Sequence, residues 1–325
     1  MREDGLEQII ENLLRQSSFR SIQLKVDIDQ ENISINPGTF TAHTTYLQTD
    51  QGARFFDYKS DPGPTGHVSH RTHFCDGKKS ASIDYKRGEP ERQQQILISH
   101  SFGIERNFGF FDAPDPLRWF YVGLTPLAES LPKGERLADG IVIGRSCDVF
   151  HFKKVGSRGP QSLVYYLDKK TSVPLRVSAY ADPDRIRKDK PNWTWEATSL
   201  DLVSGRSFPL SSTYKAFDVS MGPAGILESN PSITQKIQVK EVTFDAAIPA
   251  SSFWPVVQED VEILDRDQLL GPRQSISKVA KTENPVRVSE STGDGLWVTW
   301  AIVAVSLIAL GFAVKLWRTA SAGRA

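Results

Sequence analysis

The chain has 325 residues, with 39 basic against 39 acidic side chains, 39% hydrophobic and 24% charged. That is an ordinary globular composition, without the basic excess that draws a protein to nucleic acid, so nucleic acid is excluded as a partner. Two cysteines, Cys75 and Cys147, are too few for a disulfide scaffold, and the sequence leaves open whether they bridge each other.

From Glu3 to Arg15 the residues Leu6, Ile9, Ile10, Leu13 and Leu14 recur at helical spacing with charged residues between them, which predicts an amphipathic helix. The period then changes. Ile22, Leu24, Val26 and Ile28 alternate with Gln23, Lys25 and Asp27, the two-residue repeat of a half-buried antiparallel strand. Similar runs predict strands near 19–35, 39–49, 52–58, 67–75, 80–86, 95–101, 140–144, 147–154, 162–167, 174–180, 194–202, 212–219 and 233–244. Turns are expected at Asn36-Pro37-Gly38, Asp61-Pro62-Gly63-Pro64 and Asp76-Gly77. With no βαβ alternation and no internal repeat, this is one large antiparallel sheet. Short helices are expected at about 114–122 and at Pro126–Leu131, and the polar segment 181–192 reads as an exposed connection.

The densest polar cluster falls on the strand expected over 67–75. Alternation puts His67, Arg71, His73 and Cys75 on one side and His70 on the other. His67, His73 and Cys75 are ligand types that zinc accepts, but Arg71 shares their face and would repel a cation, and no H-E-x-x-H or C-x-x-C accompanies them. The cluster is therefore read as a polar strand face titrating near neutral pH, with no metal and no cofactor. A metal-dependent hydrolase built on this strand is the rival reading. No G-x-S-x-G elbow or P-loop is present, and the carboxylate pairs Asp57/Asp61 and Asp182/Asp184 lie in polar sequence and read as solvated. Trp119, Phe120, Tyr121, Trp193, Trp195, Phe253 and Trp254 suit either a plain core or the lining of a ligand hollow.

After Asp265 the periodicity ends, and residues 266–295 read as a polar spacer able to span about 30 Å as a coil. Leu296–Trp317 is apolar except for Lys315; as a helix it would be about 33 Å long, against roughly 30 Å for the hydrocarbon core of a bilayer. It predicts a single transmembrane helix, with Trp297, Trp300 and Trp317 at the interfaces. Arg318 and Arg324 lie in the short tail 318–325, whereas Glu290 and Asp294 lie upstream, so the tail is expected in the cytoplasm. The body, residues 1–265, is then expected in the periplasm or another extracytoplasmic space. Because the first ten residues lack a signal-peptide pattern, the true start is expected upstream of Met1.

Several segments, in order, resemble the LolA/LolB/LppX-like lipoprotein-localisation superfamily, which includes the RseB-like sensors. They are His73-Phe74-Cys75-Asp76-Gly77-Lys78, a strand, Asp-Gly, strand hairpin; Ile141 to Phe150, with its Gly144-Arg145-Ser146-Cys147 core; Tyr165-Tyr166-Leu167-Asp168 with Val173-Pro174-Leu175-Arg176; and Val242 to Pro255, with its Ile248-Pro249 turn. The resemblance spans about residues 1–265. It implies a mainly β (α+β) fold: a large curved antiparallel sheet forming an unclosed half-barrel, with an N-terminal helix and short plug helices. It also implies a hollow for a lipid, a lipoprotein or another apolar ligand, which on the sequence pattern falls along Ile22, Leu24, Val26 and Ile28. A chain anchored by 296–317 cannot shuttle freely, so the expected role is non-catalytic binding tethered at the bilayer. The alternative is an RseB-like sensor acting on an envelope-regulatory protein.

Overall fold

A computed structural model describes residues 3–33, 37–62, 68–86, 88–99, 117–123, 125–155, 161–181, 186, 190–221, 227–259 and 261–265. Helix α1 (Glu3–Ser17) leads into β1 (Ser21–Asn32), β2 (Gly38–Thr49), β3 (Ala53–Ser60), β4 (His70–Asp76), β5 (Ser80–Lys86) and β6 (Glu89–Ser99). A 3-10 turn (Arg118–Phe120), β7 (Tyr121–Val122), β8 (Thr125–Pro126), the one-turn helix α2 (Leu127–Ser130) and a second 3-10 turn (Leu131–Lys133) follow. The chain then returns to strand with β9 (Glu135–Arg136), β10 (Gly140–Val142), β11 (Arg145–Val155), β12 (Gln161–Asp168), β13 (Pro174–Tyr180), β14 (Trp193–Val203), β15 (Arg206–Met221) and β16 (Leu227–Phe244). A third 3-10 turn (Ala250–Phe253) and β17 (Glu262–Asp265) complete the described chain.

Fifteen of these strands form one sheet in the order β10-β11-β12-β13-β14-β15-β16-β1-β2-β3-β4-β5-β6-β17, with β9 added on β11. Among the described residues the ends of this path do not pair, so the sheet is unclosed. Most neighbours in the sheet are also neighbours in sequence. At Ile143-Gly144 and Ser204-Gly205 both central residues have positive φ, the two-residue turn whose twist matches that of the strands it joins. The exceptions are β9 on β11, β17 on β6, and β1, which pairs with β2 on one side and with β16 on the other and thereby joins the two halves of the sheet.

The alternation read in β1 is observed. Ile22, Leu24, Val26 and Ile28 point to one side and are 0–2% exposed. Opposite them stand Gln48, Tyr46, Thr44 and Ala42 of β2. Phe244, Val242, Val239 and Ile237 of β16 flank them on the other side, across a bulge at Lys25/Val26. One row crosses six strands, from Ala197 through Ser212, Ile237, Ile28 and Ala42 to Ser60, and every member is buried. The main core continues along this inner face to Phe150, Tyr165, Val177 and Trp195, and is covered by Ile9 and Leu13 of α1 and by Leu117, Trp119, Phe120, Leu127 and Leu131. Leu14 departs from the predicted apolar stripe of α1 and is 46% exposed.

A second, smaller core lies on the opposite face. Phe74, Ala81, Ile83, Ile96 and Ile98 pack there with Val261, Trp254, Val257 and Ile263 from the segment that follows β16. That segment is fixed to β6 by a reciprocal amide clasp: Gln93 N–H donates to Gln258 Oε1 at 2.9 Å, and Gln258 N–H donates to Gln93 Oε1 at 3.0 Å.

Three expectations change. The sheet is not wholly antiparallel, because β17 runs parallel to β6; a parallel partner needs no local turn and so leaves no turn signal in the sequence. Strand β6 begins at Glu89, not 95, since its polar first half is paired with β5 through two bulges and needs no apolar alternation. The helix expected at 114–122 is a single 3-10 turn among the described residues, because Gly123 adopts φ 63° and folds Tyr121–Val122 back on Thr125–Pro126. The transmembrane expectation at 296–317 and the spacer at 266–295 lie outside the described residues, among which no helix is long and apolar enough to cross a membrane.

Packing of the β1 face sets the first expectation. Leu24→Ala should cost about 2–5 kcal/mol through lost burial and a residual void. Val26→Trp, which adds volume to the same face, should cost about 1–3 kcal/mol. Both are read from urea unfolding, and an unchanged midpoint for Val26→Trp would show that this face encloses free space.

Candidate functional site

Where α1 ends and β1 begins, four elements are tied together by one carboxylate. Asp245, just past β16 and in a left-handed conformation at φ 61°, accepts the backbone N–H of Arg20 at 2.7 Å and Nη2 of Arg206 at 3.0 Å. Arg206, at the start of β15, also donates from Nε and Nη2 to the Ser18 carbonyl at 3.1 and 2.9 Å, and its guanidinium lies 4.8 Å from the centre of the Phe244 ring. Gln16 of α1 accepts the Ser207 N–H at 2.6 Å, and the Asp50 N–H donates to the Arg20 carbonyl at 2.9 Å. The Arg20 N–H, followed by Arg206, holds the Asp245 carboxyl below the usual carboxylate range.

This frame borders an open cleft of about 710 Å³, lined by Ser17, Phe19, Arg20, Gln48, Asp50, Arg54, Tyr121, Arg206 and Asp245 among others. Its size is that of a small-molecule site. Two aromatic rings, Phe19 and Tyr121, meet three arginines and two aspartates there. Gln48 is only 7% exposed, and its Oε1 accepts the Tyr46 hydroxyl at 2.5 Å, which orients the carboxamide. The opposite wall is set by the Tyr165 hydroxyl, buried in the core, which donates to the Tyr121 carbonyl at 2.5 Å.

Of the seven aromatics singled out in the sequence, Tyr121 alone is among the residues lining this cleft. Trp119 stacks on Trp195 with centroids 4.7 Å apart inside the main core, and Trp254 belongs to the second core. The apolar row Ile22, Leu24, Val26 and Ile28 stops beside the cleft: Ile22 is paired with Gln48 of its wall, and none of the four lines it. Arg20, Arg54, Arg206 and Asp245 were invisible as a site in the sequence. They are far apart in the chain and carry no motif, and only the isolated charges at strand starts and ends mark them.

Of the residues weighed as zinc ligands, His67 lies outside the described residues. His73 and Cys75 share the inner face of β4, where His73 lies 6.1 Å from the Phe56 ring and Cys75 is buried. Burial pushes the Cys75 thiol up, and the Cys147 thiol to about 11; both cysteines are free. Among the described residues no three His, Cys, Asp or Glu side chains converge as a metal site. Asp182 and Asp184 also fall outside the description, while Asp61 is exposed on the surface 3.6 Å from His43.

Comparison with known proteins gives structural likeness only. No family model matches the chain, and no curated protein matches its sequence. Among solved structures it is similar to an outer membrane lipoprotein-sorting protein domain from Vibrio parahaemolyticus, at 13% identity and TM-score 0.44, covering 77% of this chain and 96% of that one. It is also similar to a LolA superfamily protein from Nitrosomonas europaea, at 8% identity and TM-score 0.43, covering 77% and 97%. A third is a DUF1329 family protein from Desulfovibrio piger, at 10% identity and TM-score 0.42, covering 78% and 96%.

One titratable site lies on the outer face of β3–β6. His70 is 8% exposed; its Nδ1 faces the Pro90 carbonyl at 2.5 Å and its Nε2 faces Asp57 Oδ1 at 2.9 Å. Both partners only accept, so both ring nitrogens donate and the imidazole is charged. Thr72 donates to the same carboxylate oxygen at 2.6 Å, and the Tyr85 hydroxyl completes the chain at 2.7 Å from Thr72. The Tyr85 ring stacks on the imidazole with centroids 3.6 Å apart. Asp57 is therefore a partner of His70, not the solvated carboxylate its polar context suggests.

Burial opposes the charge on His70, but the bonds to Asp57 and Pro90 outweigh it and raise its pKa. Burial likewise opposes ionisation of Asp57, and His70 and Thr72 overcome it and lower its pKa. Lys59 and Glu91, paired beside them, are the other charges nearby. The raised His70 stabilises fully below its ordinary 6.5 and loses that contribution as pH rises through its folded value; the lowered Asp57 stabilises above its ordinary 3.8 and loses it as pH falls. The stability difference between wild type and His70→Gln should be largest between those two values and shrink towards alkaline pH. A difference that does not change with pH in thermal unfolding would show that the ring is neutral.

Proposed function

We propose that the chain is a membrane-tethered, non-catalytic binding protein of the cell envelope, which holds a lipid, or the lipidated end of a lipoprotein, at the cleft between α1 and the sheet. The observation that carries this reading is the cleft itself. It has the volume of a ligand site, aromatic rings on its walls and cations at its margin, the combination that an amphiphilic molecule requires. The sequence supports the tether: 296–317 has the length and composition of a membrane span, and 266–295 would hold the body, residues 1–265, clear of the headgroups. The tail 318–325 would lie in the cytoplasm and the body outside it.

Two measurements test the reading. Organic-solvent extraction of the purified chain, followed by mass spectrometry, should release an acyl lipid near one per chain, and the emptied protein should take up a fluorescent fatty acid. No lipid and no uptake would overturn it. A reporter fused after Ala325 should be active in the cytoplasm; activity only on the far side of the membrane would reverse the orientation.

A further inference from the structure

We propose that the cleft recognises the acidic headgroup of an amphiphile, a carboxylate or phosphate on an acyl chain, with Arg20 and Gln48 as its principal contacts and Arg54 beside them. This rests on the lipid-binding reading and goes further by naming the ligand's charge. The charges of the cleft are not equivalent. Arg206 and Asp245 neutralise each other and are committed to the frame, since together they hold Ser18 and Arg20. The Arg20 backbone is fixed on both sides, its N–H on Asp245 and its carbonyl under the Asp50 N–H, yet its exposed guanidinium makes no ion pair among the described residues. A cation with an immobilised base and no close ion pair, although it acts at longer range on Asp245, is available to an incoming anion.

Gln48 is the second, independent observation. It is more than nine-tenths buried, and its only acceptor atom is occupied by the Tyr46 hydroxyl. What it offers the cleft is therefore the amide N–H group, which has no hydrogen-bond partner among the described residues. Arg54 stands directly across the strand pair from Gln48 and lines the same wall. Arginine and a carboxamide presenting its nitrogen are donors only, and a group that accepts without donating satisfies them: an ionised carboxylate or a phosphate. The one remaining carboxylate, Asp50, is exposed at the rim and leaves the cleft with a positive balance. Phe19 and Tyr121 supply the apolar contact that the chain of the amphiphile needs.

The test uses the full chain in nanodiscs of neutral phosphatidylcholine, with empty nanodiscs as the blank. Octanoate, octyl phosphate and octanol, which share one chain length, are titrated calorimetrically. One of the anions should bind at least tenfold tighter than octanol, and which one does so distinguishes a carboxylate source from a phosphate source. Arg20→Gln should remove about tenfold of that anion's affinity and leave octanol binding and melting temperature unchanged, because the guanidinium is exposed and unpaired; Gln48→Leu should weaken the same anion. Raising salt should reduce anion binding alone. Equal affinity for all three compounds, or an anion affinity indifferent to Arg20→Gln, would overturn the headgroup assignment while leaving lipid binding intact. Failure of all three to bind would overturn both.

Discussion

Everything in this fold hangs on the double pairing of β1. Strands β10 to β16 lie on one side of it and β2 to β6 with β17 on the other, and among the described residues no other strand joins the two halves. Its register is fixed by the period of two: a slip of one residue would turn Ile22, Leu24, Val26 and Ile28 outward and bring Gln23, Lys25 and Asp27 into the core. The outer face makes the same choice independently, because Lys25 pairs with Glu241 at 2.9 Å and Asp27 with His43 at 2.8 Å only in this register. Those exposed pairs contribute little energy, so the apolar face decides and the polar face agrees.

A sheet this wide cannot be covered by one element. The inner face receives α1 and the turns between Leu117 and Lys133, whereas part of the outer face is closed by the segment after β16. Both covers depend on polar ties, not on helix propensity. Asp245 and Arg206 fasten the end of α1, and the Gln93–Gln258 clasp fastens the outer segment. The cleft follows from the first of these ties. Where the apolar row ends at Ile22, the chain must satisfy exposed backbone at the joint of helix and strand, and the charged groups that do so surround the space the core does not fill.

Much of the architecture was legible beforehand because it is local. The helical spacing of Ile9 and Leu13, the alternation in β1 and the Asp76-Gly77 turn each encode their own geometry within a few residues. At that turn, Asp76 Oδ1 accepts the N–H groups of Lys78 and Lys79 at 2.9 Å, and Gly77 takes φ +90° with the Gln51 carbonyl 3.1 Å from where a side chain would begin. The polar start of β6 and the parallel β17 were not legible, because their pairing is imposed by partners and not by their own periodicity. The His70 site was half legible: alternation put His70 on the face away from His73 and Cys75, but its partners Asp57, Tyr85 and Pro90 come from three other strands.

By itself, then, the sequence determined the class of the fold, the faces of its strands and the apolar span at 296–317, since each is written in a repeat or a length that needs no partner. Tertiary structure alone decided the cleft. Arg20, Gln48, Arg54, Arg206 and Asp245 stand on separate elements, and none carries a local pattern that distinguishes it from any surface residue. Only when β1 has brought β2 and β16 to its two sides do their side chains share one space, so the site exists as a consequence of long-range pairing and has no counterpart in the linear chain.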